Sequence, residues 1–338
     1  PSKFTHLHVH SHYSLLAGLA KIDELVGEAV NLGMDSLALT DHGVLYGAVE
    51  FYKKAKKAGI KPIIGCEMYI AGDGMKNKRA GIDDKRFHLT VLARDYEGYK
   101  NLIRLVTAAH LDGFYYKPRV DKELLRAHSK GLIALSGCLS GEIPRAIQHK
   151  KMDEARNLIA AYQETFGHDN FYLELGAHPN IPEQKIVNSA LQELSAKTGA
   201  KVVGTNDIHY IKSEDAEAQD ILVSVQTGAR FEDENRLTMR SSNLSMKPPP
   251  VMADFFRDLP EAVANTQAIA DGISLEIPLG NILLPRFQVP DGKTPEAHLE
   301  ELCRRGVEAR YPGAAKVNSP EARAVMERLR YELSVIKA

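Results

Sequence analysis

The chain has 338 residues, about two domains at roughly 150 residues each. With 44% hydrophobic and 26% charged residues, and 43 Lys plus Arg against 44 Asp plus Glu, its net charge is -1. These values exclude an intrinsically disordered chain, a collagen-like fibre and a nucleic-acid binder driven by overall positive charge. No apolar run reaches the length of a membrane span, and the opening PSKFTHLHVH lacks the apolar core of a secretory signal. Cys66, Cys138 and Cys303, the three cysteines, suit a reducing compartment. A cytoplasmic protein with no membrane partner is expected. The outlying feature is 13 histidines with no tryptophan, because histidine is the commonest metal ligand.

Short β-branched apolar runs alternate with segments of helical period, which predicts an α/β fold of parallel strands joined by crossover helices. Strands are expected over 4–9, 36–40, 62–70, 87–93, 131–136, 171–175 and 202–205, and helices over 21–32, 45–58, 96–111, 152–165 and 183–198. Gly33 and Gly59 stand where left-handed helix ends would place them. Seven such units over about 210 residues suit a closed or nearly closed parallel barrel better than an open doubly wound sheet. After Tyr210 the pattern becomes helix-rich, with a polar interruption at 239–252 whose run Pro248, Pro249, Pro250 cannot lie inside a helix or a central strand. A helix is expected at 254–271 and an extended connection at 277–288. Two amphipathic helices at 295–310 and 319–337 then open a further domain.

Placement sorts the histidines. His8 and His10 share one face of the first strand, as two ligands of one metal must. His42 follows the second strand in TDHG, Glu67 interrupts the apolar run IIGCEMYI, and His88 lies in the fourth strand. Cys138 follows the fifth strand, and Asp207 and His209 follow the seventh. Strand ends are where barrel sites are built. His88 is the exception, since it falls near the beginning of its strand. A single buried histidine is usually a hydrogen-bonded core residue, and His6, of the same parity, reads as structural. Eight potential ligands on six of seven strands read instead as a polynuclear metal site, because so much unpaired buried charge is too costly for a core. Their mixed nitrogen, oxygen and sulfur character admits zinc, manganese or iron. Cys138 reads as a ligand rather than a nucleophile, Cys66 as core and Cys303 as a helix-face residue. His178 could support the site or contact phosphate, or be an ordinary loop histidine. Lys76, Lys78 and Arg79, in the loop between the third and fourth strands, could touch a phosphate backbone. Lys53, Lys54, Lys56 and Lys57 read as a solvated helix face.

HLHVHSHYSLLAG, TDHGVLYGAVEFYKKAKKAGIKPIIGCEMY, HLTVLARDYEGYKNL, GLIALSGCLSGEIP and TNDIHY resemble the PHP family, the polymerase and histidinol phosphatase barrels. More narrowly they resemble the amino-terminal PHP domain of bacterial C-family replicative polymerases. LPEAVANTQAIAD and LPRFQVPDG continue that likeness, and HLEELCRRGVEARYP resembles the opening of the palm. The resemblance implies a distorted seven-stranded (β/α)7 barrel within a PHP domain of 1–285, its core about 1–212 and a helical extension 213–285, with 286–338 beginning the palm. It implies two or three divalent metals. His8, His10, Glu67 and Asp207 would surround the first, Glu67 would bridge to a second held by His88 and Cys138, and His42 and His209 would serve a third. Family members with a full set add an aspartate where this chain has Ala17, so eight of nine ligands are present, and His12 could stand in for the ninth. The implied chemistry is phosphoester hydrolysis at a 3′ end of DNA by a metal-bound hydroxide. The rivals are an inert scaffold docking a separate proofreading exonuclease and, less favoured because of the tail, a stand-alone phosphatase. The resemblance further implies partners in DNA, the rest of the polymerase chain and other replisome subunits. Polymerase residues, with their magnesium, would lie beyond Ala338.

Overall fold

The computed structural model describes residues 3–233, 235–312 and 319–337. The chain divides into two units, Pro1–Ile277 and Pro278–Ala338. In the first, the strands are β1 Ser36–Leu39, β2 Lys61–Ala71, β3 Arg86–Ala93, β4 Arg119–Val120, β5 Leu132–Leu135, β6 Phe171–Gly176 and β7 Lys201–Thr205. Its helices are α1 Ile22–Asn31, α2 Ala48–Lys57, α3 Tyr96–Leu111, α4 Lys122–Ala127, α5 Glu142–Gln148, α6 Met152–Phe166, α7 Pro182–Thr198, α8 Ala216–Thr227, α9 Pro249–Phe255 and α10 Pro260–Gly272. The second unit carries α11 Pro295–Arg310, capped by the Thr294 side chain, and α12 Pro320–Lys337. No helix among the described residues is long and apolar enough to cross a membrane.

The sheet runs β1-β2-β3-β5-β6-β7, with β4 also paired to β2. The expectation of parallel strands throughout is corrected at β3, which lies antiparallel to both β2 and β5. The reason is the connection: residues 72–85 form a loop without a helix, and only a crossover returns a chain to run parallel. Reversing β3 also removes the anomaly of His88, because the beginning of β3 meets the carboxyl ends of the parallel strands.

The segment 4–9 is extended, but it is not a regular strand. Hydrogen bonds from Ala38 N and Thr40 N to the His6 and Val9 carbonyls tie it to β1, and a reciprocal pair between His8, His10 and Ile208 ties it to the end of β7. The Thr40 hydroxyl takes the Val9 N–H at 2.8 Å, so a side chain replaces one rung of the ladder. The segment thus spans the two edges of the sheet and closes the barrel. Its alternation sends Leu7 and Val9 into the apolar layer under the helices and His6, His8 and His10 to the other face. Fully burying each side chain of this layer, such as Leu25, Ile63 or Leu173, contributes roughly 1.5–3 kcal/mol.

The single helix expected at 254–271 is two helices, α9 and α10, with Pro260 opening the second. Pro249 and Pro250 stand in the first turn of α9, where the missing N–H groups cost nothing.

His6 is fully buried, its Nε2 bonded to the Lys247 carbonyl at 2.8 Å, and burial pushes its imidazole down from 6.5 to about 4. An imidazole depressed on folding contributes stability that is present above 6.5 and is lost as pH falls through the folded value. His6→Gln, which keeps a donor for Lys247, should therefore flatten the loss of stability between pH 6.5 and 4 by roughly 3 kcal/mol, read from denaturant midpoints of the two chains. Parallel pH profiles for parent and variant would refute this.

Candidate metal centre

Glu67 is fully buried in the second half of β2 with four imidazoles around its carboxylate. Its Oε1 lies 2.8 Å from His88 Nδ1 and 3.3 Å from His8 Nε2, and its Oε2 lies 2.6 Å from His42 Nδ1 and 3.4 Å from His10 Nε2. Asp207 Oδ1 lies 3.2 Å from His10 Nε2, 3.3 Å from His8 Nε2 and 3.5 Å from His209 Nδ1. Cys138 Sγ completes the wall, 3.7 Å from both Glu67 Oε1 and His88 Nδ1. All eight residues expected as ligands therefore meet at one end of the barrel.

Turns hold these side chains in place. Gly43 sits at φ 63, and a Cβ there would meet Pro118 at 2.8 Å and Tyr69 at 3.2 Å, so only glycine lets the turn after His42 lie this close. Gly137, at φ 84, performs the same service before Cys138, where a Cβ would meet the His88 carbonyl at 2.4 Å. Asp207 itself adopts φ 46, an uncommon conformation for a residue with a side chain, and its carbonyl accepts a 2.8 Å hydrogen bond from His209 Nδ1.

The Nδ1 protons of His8 and His10 are directed away from the centre. His8 Nδ1 donates to Glu174 Oε1 at 2.6 Å, since a carboxylate can only accept. Glu174 also accepts from the Thr205 hydroxyl at 2.7 Å. His10 Nδ1 donates to Ser14 Oγ at 2.9 Å, while the Ser14 hydroxyl donates to Asp41 Oδ1 at 2.7 Å. Both histidines therefore turn Nε2, the nitrogen a metal would take, toward Glu67 and Asp207. Among the described residues, His8 Nε2, His10 Nε2, His42 Nδ1, Glu67 Oε2 and Asp207 Oδ1 are buried without a hydrogen-bond partner. Unpartnered buried polar atoms are rare because each costs its full desolvation. Here they converge on one another, and the donor set suits a divalent cation.

Electrostatics point the same way. Burial opposes charge on His8, but Asp207, Glu174 and Glu67 outweigh it and push the imidazole well up. Burial, aided by His42 and His209, drives His10 well down, its ring stacked 4.1 Å from His42. Burial also opposes ionisation of Glu67 and Asp207, yet the surrounding histidines hold both carboxyls well below the usual range. Burial, then Glu67 and Asp207, push the Cys138 thiol up, so its deprotonation calls for a cation beside it.

Three groups have ligand atoms within 4.8 Å of one another: His8, His10 and Asp207; His42, Glu67 and His88; and His10, His42 and His209. His42 thus falls with Glu67 and His88 as well as with His209. The last group contains no carboxylate. Ala17 is buried; its N–H donates to the Ser14 carbonyl and its carbonyl accepts from Gln219 Nε2, so its side chain offers no ligand atom, while two residues on Leu19 N donates to the His209 carbonyl.

The remaining candidates stand apart. The His12 ring lies tilted against Tyr13, centroids 4.1 Å apart, and belongs to none of the three groups. His178 Nδ1 bonds the Ser242 carbonyl at 2.9 Å, and burial lowers its imidazole. Lys76 and Lys78 are exposed, whereas Arg79 is spent on its own loop, with Asp83 at 2.8 Å and Asp73 at 2.6 Å. Arg119, fully buried, holds that loop through the Met75, Asn77 and Asp83 carbonyls. Cys66 is core and its thiol bonds the Asp41 carbonyl. Glu174, Ser14 and Asp41 went unmarked in the sequence. For Glu174 the signal was available, an acid in the apolar run FYLELG that parallels Glu67 in IIGCEMYI.

A model of the PHP domain matches residues 6–178, just over half of the chain. The chain belongs to the PHP family. Among its PHP relatives, DNA polymerase III subunit alpha of Borreliella burgdorferi is 44% identical over 338 residues, covering 99% of this chain and 29% of that protein. The same subunit of Thermus aquaticus is 42% identical over 323 residues, covering 92% of this chain and 26% of that protein. The chain thus spans less than a third of the length of these relatives. Two solved structures are more distant. An amidohydrolase from Chromobacterium violaceum has TM-score 0.41 at 16% identity, covering 61% of this PHP chain and 87% of its own. Histidinol phosphate phosphatase from Lactococcus lactis, complexed with zinc, histidinol and phosphate, has TM-score 0.31 at 14% identity, covering 72% and 99%.

Glu174→Ala should leave the His8 ring unanchored and lower affinity for zinc or manganese about 10–100-fold, measured by equilibrium dialysis with metal analysis. Affinity equal to the parent's would show that Glu174 only fills the core.

Proposed function

We propose that the chain is the amino-terminal part of a bacterial replicative polymerase alpha subunit, a PHP domain of about 1–285 followed by the start of the palm at 286–338, and that its metal centre hydrolyses phosphoesters. The convergence of five unpartnered buried ligand atoms carries this reading. His8, His10 and Asp207 would hold one divalent metal, and His42, Glu67, His88 and Cys138 a second. Zinc, manganese and iron all suit these donors. When bound, such metals supply a hydroxide near neutral pH and stabilise the leaving oxygen. Glu174 and Ser14 keep the protons of His8 and His10 on their outer nitrogens, and Glu67 sets one oxygen 3.3 Å from His8 Nε2 and the other 2.6 Å from His42 Nδ1.

The reaction assigned is removal of a 3′ nucleotide from DNA. The likeness to polymerase subunits over 99% of the chain in one relative supports this over a free phosphatase. Polymerisation itself, with magnesium, belongs to the full-length protein, whose other parts and replisome subunits would be the partners of this domain. Ala17 favours a second reading. With alanine where family members with a full set have an aspartate, the group of His10, His42 and His209 contains no carboxylate of its own, and a domain so depleted would serve as a scaffold that docks a separate proofreading exonuclease.

Metal analysis of the purified chain, paired with release of a 3′-terminal nucleotide from labelled single-stranded DNA, decides between them. Bound metal with activity that His10→Ala abolishes is the expected result. Less than one metal per chain would refute the metal centre, and activity confined to Ala17→Asp would establish the scaffold.

A further inference from the structure

The connection from α3 to β4 has features for which the metal centre has no use. It is held close to the turn that carries His42: His110 Nε2, in the last turn of α3, bonds the Gly43 carbonyl at 3.0 Å, and Pro118 lies against Gly43. Its aromatic rings nevertheless face water, with Phe114 49% and Tyr116 68% exposed. Tyr116 also holds left-handed backbone at φ 58, a strain that no burial of its ring offsets. Next to it, Lys117 Nζ lies 5.9 Å from the centroid of the Tyr69 ring, and Arg86 Cζ lies 5.7 Å from the same ring. Tyr69 in turn lies 6.0 Å from the His42 ring and 5.2 Å from the His88 ring. Among the described residues neither cation has an ion-pair partner, and Arg86 donates only to the Asp84 carbonyl, at 2.9 Å. Burial, and then the positive charge of Arg86, push the Lys117 ammonium down.

A free phosphomonoester needs one anion site and no aromatic surface. Two unpaired cations beside the reacting position, followed by water-facing rings, instead match a backbone of repeated phosphates carrying flat bases, since bases stack on aromatic side chains whatever their sequence. We propose that this rim binds single-stranded nucleic acid: Lys117 and Arg86 take phosphates adjoining the reacting one, and Tyr116 and Phe114 stack the bases. The assignment rests on the phosphoester reading for the position of the reacting phosphate.

The test is fluorescence anisotropy of the purified chain with a 5′-fluorescein oligothymidylate of about ten nucleotides, its 3′ linkage a phosphorothioate so that binding is read without cleavage. Tyr116→Ala should weaken binding about tenfold and leave its salt dependence unchanged, while Tyr116→Phe restores it. Lys117→Met and Arg86→Met keep the aliphatic stems against Tyr69, and each should lower the slope of log affinity against log salt by about 0.7. Parent-like affinity in both Tyr116→Ala and the double methionine variant would overturn the proposal. So would displacement of the strand by inorganic phosphate as readily as by unlabelled oligothymidylate, which would give the cations to a small phosphoester. Strand binding with this variant pattern by a chain that holds no metal would support the rim and overturn only the hydrolytic reading.

Discussion

A carboxylate buried at the centre of a closed barrel must be surrounded by groups that accept its charge, and Glu67 sets this condition for the domain. It has no access to water, so its ionised form survives only because His8, His10, His42 and His88 crowd within 3.4 Å. Those imidazoles are themselves buried, and their rings stack too closely for all of them to carry charge. His10 is held neutral while His8 is driven toward protonation. The conflict is one that a divalent cation resolves, because it supplies positive charge at one point and leaves each imidazole neutral.

The outer ring of contacts follows from that demand. For His8 and His10 the metal-facing nitrogen requires the proton to be held outward, and buried acceptors do this. Glu174 on β6 holds the proton of His8, and the Asp41 to Ser14 pair holds that of His10. Backbone is distorted for the same end. Asp207 keeps a left-handed conformation, and Gly43 and Gly137 allow contacts no other residue could make. The reversed strand β3 belongs to this set, for it delivers His88 from its beginning to the end of the barrel where the others finish.

All eight expected ligands come together, and the reason they were legible is that a His, Asp, Glu or Cys at the end of an apolar strand has few structural explanations. The apolar runs also marked six of the seven assigned strands within a few residues. Where chemistry depended on direction, the text was silent. Arg79 sits in a loop that reads as a phosphate contact, yet Asp73 and Asp83 occupy it. Arg86 and Lys117 lie 31 positions apart and share one tyrosine ring because β3 and the approach to β4 flank β2.

Side-chain type and alternation, which are local properties of the chain, determined the candidate donor set, the barrel class and the absence of a carboxylate at Ala17. Only the tertiary structure decided the orientation of β3, the use of 4–9 as the closing segment in place of a regular strand, and the pairing of each histidine with its acceptor. These depend on which distant segments become neighbours, through hydrogen bonds such as Thr40 to Val9 and Glu174 to His8. Such partners are set by the closure of the whole barrel, and no local pattern encodes them.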